Sequence, residues 1–217
     1  MIKHCISIAL YLFGTLITAF GIVLIIKANL GVSPWDVLHI AIADITVLTI
    51  GQAIQVLSIL LTLFIILKRK HLRFLLMALP FIIVGNLVDL FNLIILSDID
   101  PEGLMRILFF VIGIIIIPFG SALLIITPYP AGIYDELMLL LMHLFRTDKM
   151  ARIRIIMEFT PMSLGLLITL IAMQSWGAFN VGTFVFIVLT GPMIKLYLAL
   201  LRRQNHGHQQ TDRSYLP

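Results

Sequence analysis

Six separate stretches of this chain are long and apolar enough to be helices crossing about 30 Å of hydrocarbon, and that constrains everything else about it. A spanning helix needs about 20 mostly apolar residues, because each residue rises about 1.5 Å. The stretches fall near 6–27, 50–67, 73–96, 104–127, 152–173 and 178–201. Hydrophobic side chains make up 60% of the residues and charged ones only 12%, against about a quarter charged in a soluble domain. An ordinary soluble enzyme, a disordered tail and a disulfide scaffold are all excluded on that ground. The single cysteine, Cys5, has no internal partner to bridge to. The first stretch starts with Lys3 and His4, yet its apolar run continues to Ile26. It is therefore an uncleaved helix rather than a signal peptide.

The formal net charge is +4, and the basic residues are clustered, which points to membrane orientation and away from nucleic acid. Lys68, Arg69, Lys70 and Arg73 join the second and third spans. Arg146, Lys149, Arg152 and Arg154 surround the start of the fifth, and Arg202 and Arg203 follow the sixth. The loop 97–103 holds Asp98, Asp100 and Glu102 with no basic residue, and the turn 174–180 is uncharged. Both termini are accordingly expected in the cytoplasm.

The chain also repeats. Shifted by 99 positions, Gly14 falls on Gly113, Phe20 on Phe119, Gly21 on Gly120 and Leu24 on Leu123. Trp35-Asp36 falls on Tyr134-Asp135, and Leu38 on Leu137. After a seven-residue adjustment Gly85 falls on Gly191, Leu90 on Leu196 and Phe91 on Tyr197. Two repeats are expected, at 1–96 and 104–201, followed by a polar cytoplasmic tail at 202–217. Three spans per repeat is an odd number, so the second copy sits upside down. Inverted repeats of this kind place solute sites at their interface near the middle of the membrane.

In each half, a short helix follows the first span. Ser33 suits an N-cap, Pro34 the first helical position and Asp36 the third place of a capping box, which predicts a helix over 34–44. Its counterpart is expected over 133–145, after Pro128, Tyr129 and Pro130. The sequence leaves two arrangements open. The short helices either lie flat at the interface, with Trp35 and Tyr134 as belt anchors, or dip inward from opposite faces and enclose a cavity.

Ionisable residues inside spans are costly and each needs a partner or a purpose. Arg154 and Glu158 stand four apart on one face of the fifth span, a spacing that allows an ion pair. Asp89 lies in the third span beside Asn86, and its repeat equivalent is Lys195. Gln52 and Gln55 open the second span, Gln55 standing where Arg154 stands in the other half; they suit either a cavity wall or bonds between helices. Gly14, Gly21, Gly113 and Gly120 fall on one helical face in each half and are read as packing residues. Asp36, Asp135, Trp35, Tyr134, Glu158, Arg154, Gln55 and Asp89 form the candidate substrate-binding set.

No nucleotide-binding loop, zincin motif or nucleophile elbow occurs, so no enzymatic activity, cofactor or metal is expected. His206 and His208 read as part of a charged tail, and His4, His39, His71 and His143 as scattered at helix ends. The run Leu30-Gly31-Val32-Ser33-Pro34-Trp35-Asp36-Val37-Leu38-His39, followed by Leu48-Thr49-Ile50-Gly51, resembles the YczE/YyaS/YitT group of bacterial membrane proteins. Tyr134-Asp135, Arg152-x-Arg154, Glu158 and Gly191-Pro192 are similar as well. The resemblance implies an all-helical protein of the bacterial inner membrane and names no substrate. Three functions remain open: a small-solute transporter, with a second copy of the chain as partner; a non-transporting accessory or regulatory membrane protein; and the substrate-binding subunit of an energy-coupling-factor transporter.

Overall fold

An apolar run inside lipid can satisfy its backbone only within itself, so each becomes a helix. The computed structural model describes residues 2–129 and 132–213, apart from the side chains of residues 2, 3, 73, 135 and 202–213. Among the described residues there is no strand. The helices are α1 (Ile2–Ala28), α2 (Pro34–Ile45), α3 (Ile50–Arg69), α4 (Leu79–Asp89), α5 (Leu104–Ile125), α6 (Ile133–Leu144), α7 (Met150–Met173) and α8 (Val181–Arg213). Among the described residues six segments are long and apolar enough to cross a membrane: His4–Ala28, Ile50–Arg69, Phe74–Ile95, Leu104–Ile125, Met150–Met173 and Val181–Leu201. Helices α2 and α6, at 12 residues each, are too short to do so.

The third span departs from the uniform helix expected over 73–96. Pro80 stands in the first turn of α4 and has no N–H to give, and the turns before it, Leu72–Ala78, tighten into a 3-10 helix. Beyond Asp89 the chain widens into a π-helical segment, Leu90–Ile95, closed by the Leu96 N–H donating to the Phe91 carbonyl. The polar end also differs from expectation. Arg202, Arg203 and Gln204 are good helix formers, and α8 carries on through them to Arg213 instead of ending at 201.

Helices α1 and α5 form the central pair. A Cβ at Gly14 would lie 3.0 Å from the Gly120 carbonyl oxygen, and one at Gly113 would lie 3.0 Å from that of Gly21. Bare glycines let the two backbones touch, and the crossed order of the contacts means that the helices run antiparallel. Helix α4 packs on α1 and α8 on α5, with matching aromatic contacts. Phe20 meets Phe91 edge-on at 5.2 Å between ring centroids, and Phe119 meets Tyr197 edge-on at 5.3 Å. Helix α2 lies against α7, where Gly165 admits the Val37 backbone, and α6 lies against α3.

One interface has no counterpart. Helices α3 and α4 pack closely through Gly51 and Gly85, whereas α7 and α8 barely touch, and a Cβ at Gly191 would meet nothing within 4 Å. Of the six spans, α8 is the least buried.

The loop between α1 and α2 is fixed at both ends. Arg106 donates from Nε to the Ala28 carbonyl at 2.8 Å and from its terminal nitrogen to that of Asn29 at 2.6 Å, capping the end of α1. The chain then turns through Asn29 at φ 50° and Gly31 at φ 119°. The Gly182 N–H donates to the Leu30 carbonyl at 2.8 Å, and the Val32 N–H donates to Thr183 Oγ1 at 3.2 Å. The start of α8 thus holds the strand of chain that delivers Ser33.

Candidate functional site

All eight helices contribute to the lining of one cavity of about 370 Å³. Its wall is mostly apolar; the charged and aromatic polar groups come from α7 and the first turns of α2 and α6, and hydroxyls come from Thr18, Ser33, Ser121 and Thr190. At its centre the first turns of the two short helices meet. The Trp35 ring lies on that of Tyr134 at 4.2 Å between centroids, and Phe81 meets Tyr134 edge-on at 5.1 Å. That contact brings together residues that follow opposite ends of the antiparallel α1–α5 pair.

Helix α2 starts where it does because Ser33 caps it, accepting the Asp36 N–H at 3.1 Å, with Pro34 behind it in the first turn. The expected reciprocal half of a capping box is absent. The Asp36 carboxylate instead accepts the Ser33 hydroxyl on Oδ2 at 2.6 Å and faces His39 Nδ1 from Oδ1 at 3.1 Å. Ser33, Asp36 and His39 form a chain of three along one face of the first turns, with Asp36 7% exposed and His39 2%. The positive end of the helix dipole favours a carboxylate here by about 0.3–1 kcal/mol. The far ring nitrogen of His39, Nε2, is buried with no partner. His39 escaped the sequence reading, which treated the histidines as scattered. The signal for it was the Asp36-x-x-His39 spacing, which stacks two side chains on one helical face.

Of the candidate residues, Trp35, Asp36, Tyr134, Arg154 and Glu158 line this cavity. Asp135 belongs to α6, and its side chain lies outside the described residues. The Arg154–Glu158 ion pair that the spacing allows is not formed; among the described residues no hydrogen bond or ion pair reaches the half-buried Glu158 carboxylate. The Tyr134 hydroxyl is within electrostatic reach of both Asp36 and Glu158.

Gln55 and Asp89 lie off the lining and join α3 to α4. Asp89 accepts the Thr49 hydroxyl on Oδ2 at 2.5 Å and the Gly51 N–H on Oδ1 at 2.8 Å, so it caps α3 from a neighbouring helix. Gln55 donates from Nε2 to the Ile82 carbonyl at 3.1 Å and to Asn86 Oδ1 at 3.0 Å. Gln52 completes a capping box with Thr49. The ion pair that does form was not anticipated: Arg69 at the end of α3 meets Glu136 in the first turn of α6 at 3.1 Å.

These features define a class: a multi-pass helical membrane protein with a small, partly polar cavity inside its bundle. Residues 5–199 match the family described as "Family of unknown function (DUF6198)", and the chain belongs to that family. It is 28% identical over 189 residues to the "Uncharacterized membrane protein YczE" of Bacillus subtilis (strain 168), covering 87% of this chain and 83% of that one. It is 25% identical over 206 residues to the "Uncharacterized protein YyaS" of the same organism, covering 94% and 98%. An "Uncharacterized protein" of Haemophilus influenzae (strain ATCC 51907 / DSM 11121 / KW20 / Rd) is 29% identical over 202 residues, covering 92% and 87%. No solved structure matches.

Proposed function

We propose that this protein is a small-solute transporter whose two inverted repeats bind their solute in the cavity between them. The observation that carries the reading is the meeting of the two short helices around that cavity, with a buried carboxylate at the first turn of one of them. A polar, hydrogen-bonded site inside an apolar bundle is costly to build in a membrane and marks a function.

Several contacts support the inversion. The antiparallel Gly14–Gly120 and Gly21–Gly113 contacts exchange with one another under the repeat, and so do the Phe20–Phe91 and Phe119–Tyr197 pairs. Trp35 and Tyr134, which are repeat equivalents, touch each other, as residues on a pseudo-twofold axis do. The packing of α2 on α7 answers that of α6 on α3. In this reading α2 and α6 are re-entrant from opposite faces, and both termini are cytoplasmic by the distribution of Lys and Arg. The unmatched interface, closed at α3–α4 and loose at α7–α8, supports one state of an alternating pair in which the second repeat is the open one. The protein moves its solute and leaves it chemically unchanged.

Uptake of a labelled solute panel into proteoliposomes tests this. At least one solute is expected to accumulate, and Asp36→Asn is expected to abolish the uptake while the protein stays folded. No uptake across the panel, or wild-type uptake by the variant, would refute the reading. In a Cys5→Ser background, Ser33→Cys and Met138→Cys are expected to react with a small water-soluble thiol reagent. Unreactive positions there would argue against re-entry.

A further inference from the structure

The cavity wall presents unused acceptors of a particular kind. The Asp36 carboxylate accepts the Ser33 hydroxyl on one oxygen, and its other oxygen faces His39 Nδ1 at 3.1 Å, a geometry in which an ionised carboxylate accepts the Nδ1 proton. When Nδ1 carries the single proton of the ring, the Nε2 lone pair is left as an acceptor. It is buried without a partner, a rare state for a polar atom in a folded protein. Glu158 is a second acceptor on the same wall, with no hydrogen bond or ion pair among the described residues. Four aliphatic hydroxyls on the lining are already committed. Ser33 donates to Asp36, Thr18 to the Gly14 carbonyl, Ser121 to Ile117 and Thr190 to Phe186. Arg154, the one Lys or Arg side chain among the described lining residues, is exposed and acts on Glu158 electrostatically without closing an ion pair. The remaining recognition surface comes from Trp35, Tyr134 and Phe81, whose π faces attract cations and which add two donors, the Trp35 indole N–H and the Tyr134 hydroxyl.

Resting on the reading of this cavity as the solute site, we propose that its ligand is a small organic ammonium ion, a protonated primary or secondary amine. The N–H groups donate to His39 Nε2 and Glu158, and the aromatic corner holds the charge and the adjoining carbon skeleton. A lone pair, a carboxylate and π faces all serve a cation that carries hydrogen-bond donors, and none of them serves an anion. The volume of about 370 Å³ is at the small end of ligand pockets, which limits the solute to a compact amine.

The chain has two tryptophans, Trp35 and Trp176, so Trp176→Phe leaves the cavity residue as sole reporter. The full-length protein carrying that change is titrated with benzylammonium, benzyl alcohol, benzoate and benzyltrimethylammonium, which share one ring. Saturable quenching by benzylammonium is expected, at least tenfold tighter than by the alcohol or the trimethyl cation, with none by benzoate. Glu158→Gln, which keeps the shape, and His39→Phe are each expected to weaken it about tenfold or more, as loss of a charge-assisted bond implies. Equal or tighter binding of benzoate or benzyl alcohol overturns the proposal. Wild-type affinity in Glu158→Gln overturns it too, whether or not His39→Phe folds. If benzylammonium does not bind while proteoliposomes still take up another solute in an Asp36-dependent way, the ammonium assignment falls and the transporter reading stands. Binding with the stated dependence, in vesicles that accumulate nothing, leaves the ammonium site standing and removes transport.

Discussion

Asp89→Ala separates the frame of this protein from its site. The carboxylate accepts the Thr49 hydroxyl and the Gly51 N–H, and the latter is one of the free N–H groups in the first turn of α3. A hydrogen bond to a charged group contributes about 1.5–3 kcal/mol in water-soluble proteins. Bonds between helices in a bilayer average about 0.6 kcal/mol, because the unfolded helices find other partners. Thr49 also keeps its own capping box with Gln52, so α3 is not left uncapped. Weighing two bonds between these limits gives a loss of about 2–4 kcal/mol for Asp89→Ala. For Asp89→Asn, whose amide oxygen still accepts the Gly51 N–H, the loss is about 1 kcal/mol. Unfolding in mixed micelles of mild detergent and SDS, followed by far-UV circular dichroism, reads both values against wild type. Solute affinity of the folded fraction is expected to be unchanged, since Asp89 is not on the cavity wall. A shift under about 0.5 kcal/mol in Asp89→Ala, or an affinity loss at full stability, would show that the capping argument is wrong.

Other outcomes follow from the packing. Gly85→Ala places a methyl group 2.5 Å from the Gly51 carbonyl oxygen, a backbone atom that cannot swing aside. It is expected to cost about 1–3 kcal/mol on the same micelle assay, whereas its repeat equivalent Gly191→Ala is expected to be neutral. Arg106→Ala leaves the Ala28 and Asn29 carbonyls uncapped and is expected to cost about 1–3 kcal/mol. Arg106→Lys should recover little of it, because one ammonium does not reproduce the two-pronged contact. A double-mutant cycle on Arg69 and Glu136 is expected to give a coupling of about 0.5–1 kcal/mol that falls as salt is raised, since the Arg69 side chain is 31% exposed.

The spans were legible because they depend on one local quantity, a run of apolar residues long enough for the bilayer. The start of α2 was legible for a similar reason: Ser33, Pro34 and Asp36 act on backbone groups within three residues. The glycines of α1 and α5 could be read as packing residues from their spacing alone. What escaped depends on which helix lies beside which. Asp89 looked like a charge in need of a purpose, yet its partners Thr49 and Gly51 stand about forty positions earlier and meet it only once α3 and α4 pack. Arg154 and Glu158 have the spacing of a pair, but spacing only permits contact, and the exposed Arg154 acts on Glu158 without an ion pair. Arg106 and Glu136 carried no periodic signal at all, because their partners are a helix end and an arginine from distant segments. His39 was within reach of the sequence. Its partner is three residues away on the same helix, and the scatter of the histidines along the chain hid that each can still have an acidic neighbour.

The two bonds from the start of α8 to Leu30 and Val32 give that helix a second task. The residue after Val32 is Ser33, whose hydroxyl orders Asp36 and through it His39. Helix α8 also supplies part of the cavity wall, yet it leans on α5 and leaves α7 almost untouched. A tilt of α8 would therefore act twice at once, on the width of the chamber and on the thread from which the polar triplet hangs. The breadth of the chamber and the order of Ser33, Asp36 and His39 thus hang on the same helix end.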